Sequence, residues 1–146
     1  MKKEADILIA ENNKEHFELI RENLLRAGVR NEVLNFADGQ EILNFLFDMN
    51  KEFEGEHNFG EYILLLNLNL PKVDGVKVLE KIKQDTRLKK IPVIILTATD
   101  GQHTIERCHS LGCGTYIVKP TEHQDFEETI QKLGCFLSVI ETTLIK

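Results

Sequence analysis

Short apolar runs alternate with helical stripes five times along this chain. Ile7-Leu8-Ile9-Ala10 is unbroken, the pattern of a strand covered on both faces. Phe17, Ile20, Leu24 and Ala27 follow at helical spacing, and Gly28 stops that helix. Val33 to Phe36 predicts a weaker second strand. Asp38-Gly39 can cap a second helix carrying Ile42, Phe45 and Leu46. From Asp48 to Gly60 the chain turns polar, with Gly55, His57 and Asn58, and reads as a long surface loop.

Tyr62-Ile63-Leu64-Leu65-Leu66 is the most apolar run and predicts the central strand. It ends at Asn67-Leu68-Asn69-Leu70-Pro71. Asp74-Gly75 then makes a turn before a helix with Val78, Leu79 and Ile82. Pro92 to Leu96 predicts a fourth strand, since proline is tolerated at a strand's first position. A fourth helix is expected from about Gln102 to Leu111, stopped by Gly112. Tyr116-Ile117-Val118 predicts a fifth strand, and a last helix begins near Glu122 and passes Phe136. Strands separated by helices of this length imply βαβ units, a parallel sheet and helices on both faces. In such α/β folds, function sits at the carboxyl ends of the strands.

Four strand ends carry the candidate chemistry. The first strand ends in Glu11-Asn12-Asn13, the third in Asn67, the fourth in Thr97-Ala98-Thr99, and the fifth in Lys119-Pro120, with Tyr116 three residues before the lysine. In this order, and together with Pro71 and Asp74-Gly75, they make the chain resemble the response-regulator receiver family from Ile7 to about Leu133. The loop from Asn69 to Gly75 and the long loop before the third strand look most like single-domain receivers that partner bacterial phytochromes.

The resemblance implies a flavodoxin-like, doubly wound five-stranded parallel sheet of order 2-1-3-4-5. It implies one receiver domain over residues 1–146, with a core over about 5–133 and a helical extension over about 134–146. In the family, an aspartate ending the third strand accepts a phosphoryl group from a sensor histidine kinase, and acids after the first strand hold Mg²⁺ with it. Carried over residue by residue, Glu11 and Asn12 match the two acidic positions, Asn67 the phosphoacceptor, and the backbone carbonyl of Asn69 a metal ligand. Thr97 and Lys119 match the phosphoryl-contacting pair, Thr97 and Tyr116 the switch pair. The Lys119–Pro120 bond is expected to be cis, as in the family.

Two of these positions depart from the family pattern, and each departure removes a negative charge. A carboxamide is a poor nucleophile because its lone pairs are delocalised and it bears no charge. Asn67 is therefore not expected to form an acyl phosphate. Mg²⁺ needs carboxylates, and Glu11 with Lys119 sums to zero where the family site sums to −2. Metal binding is expected to be weak or absent, so no cofactor is required. Two carboxylates about 5 Å apart at an effective dielectric of about 20 repel by roughly 3 kcal/mol. With most of that repulsion gone, Glu11 and Lys119 should pair directly or through Asn67.

Composition sharpens this reading. The chain has 146 residues and a formal net charge of −6, which disfavours nucleic acid and anionic membranes. No apolar stretch approaches a membrane span or the core of a signal peptide. Three cysteines, Cys108, Cys113 and Cys135, have no CxxC spacing, so neither a disulfide framework nor a zinc site is suggested, and free thiols fit the cytoplasm. His103 and His109 flank Cys108 at spacings that do not suit a metal. Phe126, Ile130, Leu133, Leu137 and Ile140 form a stripe that reads first as the core face of the last helix. Its second reading is a dimer face that extends past the domain; the resemblance implies homodimer pairing through the fourth and fifth helices.

The expected function is signalling by protein–protein contact without phosphorylation at Asn67, with a histidine kinase or another signalling protein as partner and no enzymatic turnover. The alternative is a conventional receiver whose Asn67 is an engineered change. A haloacid-dehalogenase-like phosphotransferase fits less well. Its Asp-x-Asp follows the first strand, and Asn67-Leu68-Asn69 lacks both acids. A flavodoxin-like redox protein would need small and hydroxyl residues after the first strand, where Glu11-Asn12-Asn13-Lys14-Glu15 has none.

Overall fold

The computed structural model describes residues 5–52 and 61–139. Its elements alternate as β1 (Asp6–Ala10), α1 (Lys14–Arg26), β2 (Val33–Phe36), α2 (Gly39–Glu52), β3 (Tyr62–Leu66), α3 (Gly75–Gln84), β4 (Val93–Thr97), α4 (Gln102–Leu111), β5 (Thr115–Val118) and α5 (His123–Leu137). The strands pair in parallel in the order β2-β1-β3-β4-β5, as expected.

Each central strand sends alternate residues to opposite faces, so every position in it is covered. Leu8, Ala10, Leu64, Leu66, Val93 and Ile95 meet α2, α3 and α4 through Ile42, Leu46, Val78, Leu79, Ile82 and Cys108. Ile7, Ile9, Ile63, Leu65, Ile94 and Leu96 meet α1 and α5 through Ile20, Leu24, Phe126, Ile130, Leu133 and Leu137. The stripe on α5 is therefore a core face at these four positions; Ile140 lies outside the described residues. The unbroken apolar runs are the consequence of this two-sided burial.

Helix starts follow local chemistry. Asn13 caps α1, its side chain accepting from the His16 amide. Asp38 accepts from the Glu41 amide at 2.8 Å, while Glu41 reaches back to the Ala37 amide at 3.0 Å. Asp74 caps α3 through the Lys77 amide.

Two expectations need correction. The polar stretch from Asp48 predicts a surface loop, but α2 continues to Glu52. Met49, Lys51 and Glu52 are good helix formers, and the stretch holds no Pro or Gly to end the helix. Gly55, His57 and Asn58 lie outside the described residues. Among the described residues no peptide bond is cis, so the Lys119–Pro120 bond is trans. The trans form is the intrinsically favoured one by about 0.5–1 kcal/mol, and with it Lys119 already reaches its partners.

Candidate functional site

Register decides where the candidate side chains meet. Ala10 pairs with Leu66, Leu66 with Ile95, and Thr97 with Val118. The next residues of β1, β3 and β5, together with the last residue of β4, therefore share one edge of the sheet. Main-chain bonds hold them there: the Asn67 amide donates to the Ala10 carbonyl at 3.0 Å, and the Lys119 amide to the Thr97 carbonyl at 2.7 Å. Glu11, Asn67, Thr97 and Lys119 are all buried.

Gly75 lets the next helix close over this edge. A Cβ there would lie 2.4 Å from the Asn67 carbonyl oxygen and 2.5 Å from the Leu68 Cα. No side chain fits, so α3 starts directly against the strand end that carries Asn67.

The charges at the edge cancel in place. Lys119 Nζ donates to Glu11 Oε1 at 2.6 Å. Asn67 Nδ2 donates to Glu11 Oε2 at 3.2 Å, and the Asn13 amide donates to the same oxygen at 3.0 Å. Asn67 Oδ1 accepts from the Thr97 hydroxyl at 2.8 Å and from the Asn69 amide at 3.2 Å. The orientation of this carboxamide follows from its neighbours. An ionised carboxylate can only accept and a backbone N–H can only donate, so the NH₂ must face Glu11 and the oxygen Asn69. A carboxylate at position 67 could not give the bond to Glu11.

The structure adds a residue that sequence reasoning passed over. His16 Nδ1 lies 3.0 Å from Lys119 Nζ. Lysine has only donors, so the histidine accepts there and carries its own proton on Nε2. Burial, and then the charge of Lys119, lowers the His16 pKa from its ordinary value, against the pull of Glu11 and Glu15. Its ring also packs against Phe126, with centroids 5.6 Å apart and the planes tilted by 49°. The available signal was position: a helix capped at Asn13, straight after the first strand's acidic end, must bring its third residue back to the site.

Other candidates sit at the rim. Asn12 and the Asn69 side chain are exposed, the latter donating to Thr99 Oγ1 at 3.3 Å. The half-buried Tyr116 donates its hydroxyl to the Thr99 carbonyl at 2.6 Å, and burial raises its pKa. His103 and His109 lie on α4, and the His109 ring sits 6.4 Å from that of Tyr116.

These residues do not fit the Mg²⁺ that the resemblance implies. Mg²⁺ is usually held by one or two carboxylates with oxygens free to face it. Glu11 spends Oε1 on an ammonium and Oε2 on two N–H groups, and Asn67 Oδ1 already accepts twice.

Comparison with known proteins gives one answer. A model of the response regulator receiver domain matches residues 7–131. The probable methanogenesis regulatory protein FilR2 of Methanothrix harundinacea is 33% identical over 127 residues, covering 87% of this chain and 79% of that protein. A response regulator receiver domain from Rhodospirillum rubrum aligns with a TM-score of 0.88 at 36% identity, covering 97% of this chain and 99% of the other. The phosphorylated cyanobacterial phytochrome response regulator RcpA aligns with a TM-score of 0.83 at 30% identity, again over 97% and 99%.

Proposed function

Because the chain belongs to the response-regulator receiver family of two-component signalling, we propose that it transmits signals by binding a partner protein, without a phosphoryl group on Asn67. One observation carries this reading. The carboxamide at the phosphoacceptor position is held by Glu11, Thr97 and Asn69, and the acid beside it is neutralised by Lys119. A phosphoacceptor needs a free anionic oxygen aimed outward and a metal to share the charge of the phosphoryl group. Here the oxygens point into a closed network.

Receiver domains interact with histidine kinases or other signalling proteins, and the likeness to RcpA favours a phytochrome-type sensor kinase as the partner. In this reading the chain is a signalling module of the cytoplasm and not an enzyme. Thr97 and Tyr116 are its switch positions, Thr97 and Lys119 its phosphoryl-contact positions, and Mg²⁺ binds weakly or not at all. No described helix is long and apolar enough to cross a membrane, and the net charge of −6 opposes contact with nucleic acid. Pairing of two copies through α4 and α5 belongs to the same reading, supported by Phe136 and Val139, which are exposed on and just after α5.

The test is incubation with acetyl phosphate and Mg²⁺ followed by intact mass, and titration of a purified sensor kinase by calorimetry. No phosphoryl adduct is expected, and the kinase should bind equally with and without the phosphodonor. An acid-labile adduct on Asn67, or binding that requires the donor, rules the proposal out.

A further inference from the structure

At the far end of α4 a tight turn holds two cysteines together. Gly112 is left-handed, with φ 104°, a conformation that costs glycine little. The turn closes with two main-chain bonds: the Cys113 amide donates to the Cys108 carbonyl and the Gly112 amide to the His109 carbonyl, each at 3.0 Å. This is the Schellman pattern, in which the residues at the two ends of the longer bond frequently pack side chain to side chain, and both cysteines belong to one buried cluster. Standard backbone lengths then cap the Cys108–Cys113 Cα separation at about 7 Å. A disulfide needs about 4.4–6.8 Å.

Three further observations converge on the pair. Both thiols are buried in the same apolar cluster, and Tyr116 packs against that cluster. Cys113 Sγ lies 3.7 Å from His109 Nδ1, which can take its proton. The His109 ring in turn lies 6.4 Å from the ring of Tyr116.

We propose that Cys108 and Cys113 are a redox modification site, forming a reversible intramolecular disulfide beside Tyr116 when the protein meets a peroxide. Cys113 gives its proton to His109, and its sulfur attacks one peroxide oxygen. The O–O bond breaks, the leaving hydroxide takes the proton back from His109 and departs as the first water, and Cys113 becomes a sulfenic acid. The Cys108 sulfur then attacks the Cys113 sulfur; the S–O bond breaks, and the departing hydroxide takes the Cys108 proton and leaves as the second water. Two thiols and one hydrogen peroxide become one disulfide and two waters. Burial raises both thiol pKa values, so the pair reacts slowly and answers sustained oxidant. The bond would tie the last turn of α4 to the lead-in of β5, two residues before the strand begins and three before Tyr116. The site is independent of the reading given to Asn67.

The test uses the full chain with Cys135→Ser, which removes the exposed third thiol. After hydrogen peroxide under native conditions, the intact mass should fall by two hydrogens and both remaining thiols should resist alkylation on unfolding. A peptide map should link residues 108 and 113, and dithiothreitol should reverse all three changes. Adding Tyr62→Phe leaves Tyr116 as the sole tyrosine in a chain without tryptophan; its fluorescence should fall on oxidation and recover on reduction. Cys108→Ala and Cys113→Ala should each abolish the mass loss. If either fails to fold, the peptide map of the Cys135→Ser chain decides alone. Two alkylatable thiols after peroxide, or oxygen added to one sulfur without a cross-link, would overturn the proposal.

Discussion

Lys119 Nζ and Glu11 Oε1 meet at 2.6 Å with their side chains 6% and 2% exposed, although 108 residues separate them in the chain. Removing two charged groups from water costs several kcal/mol each, and their attraction repays this only when geometry is good and the remaining atoms are bonded. Here Asn13 and Asn67 complete the carboxylate and His16 completes the ammonium. Each half of the pair is therefore affordable only with the other.

Glu11→Gln should destabilise the fold by about 3–5 kcal/mol, because it leaves an ammonium buried without its counter-ion. Glu11→Gln with Lys119→Met should lose much less than the two single changes summed. Urea unfolding of the four chains measures both.

Asn67→Asp would set a second carboxylate beside Glu11, and the two would repel. The new oxygen would replace an N–H that now bonds Glu11 at 3.2 Å. A stability loss of about 3 kcal/mol is expected at pH 8. Millimolar Mg²⁺ should raise the melting temperature of this variant and leave that of the parent chain unchanged. A clear rise in the parent chain would show that Glu11 and Asn67 leave oxygens free for the ion.

Thr97→Val keeps the shape of a fully buried side chain and removes one of two donors to Asn67 Oδ1. Because the Asn69 amide still serves that oxygen, the loss should be only about 1 kcal/mol. Calorimetric unfolding distinguishes it from the larger effect at Glu11.

His16 gives a pH signature. Its pKa is lowered in the fold from the ordinary 6.5. Below pH 6.5 the unfolded chain therefore binds a proton that the folded chain refuses. This contribution should be flat above that pH and fall as the pH drops through 6.5 towards the folded-state value. His16→Gln should flatten that limb in urea titrations between pH 5 and 7. An unchanged slope would show that His16 stays in water.

Gly75→Ala should cost about 1–3 kcal/mol or more, since its Cβ has backbone on one side at 2.4 Å. Gly114→Ala is the control. Its Cβ would meet only the Val93 carbonyl oxygen at 3.6 Å, and its stability should change by about 0.5 kcal/mol or less. Thermal unfolding reads both.

Sequence alone set the order of elements and the identity of the residues at the strand ends. A strand covered on both faces must be apolar throughout, and a helix capped on one side must repeat its apolar residues every three or four. Those two periods are written in Ile7–Ala10, Tyr62–Leu66 and Phe126–Leu137. It also set the charge sum of the site, because counting Glu11 against Lys119 needs no coordinates. The end of α2 escaped it, since polar residues suit a helix end and a loop equally well.

Tertiary structure alone decided which partners those residues chose. His16 and Lys119 are 103 positions apart, and no local pattern encodes a contact that depends on strand register and helix packing together. The same holds for the direction of the Asn67 carboxamide, fixed by an acceptor on β1's end and donors beyond β3. Cys108 and Cys113 lie close in sequence, yet their approach depends on a left-handed glycine that spacing rules for cysteine do not describe. Composition and periodicity report what each segment buries; only the folded chain determines which polar atoms are left facing one another.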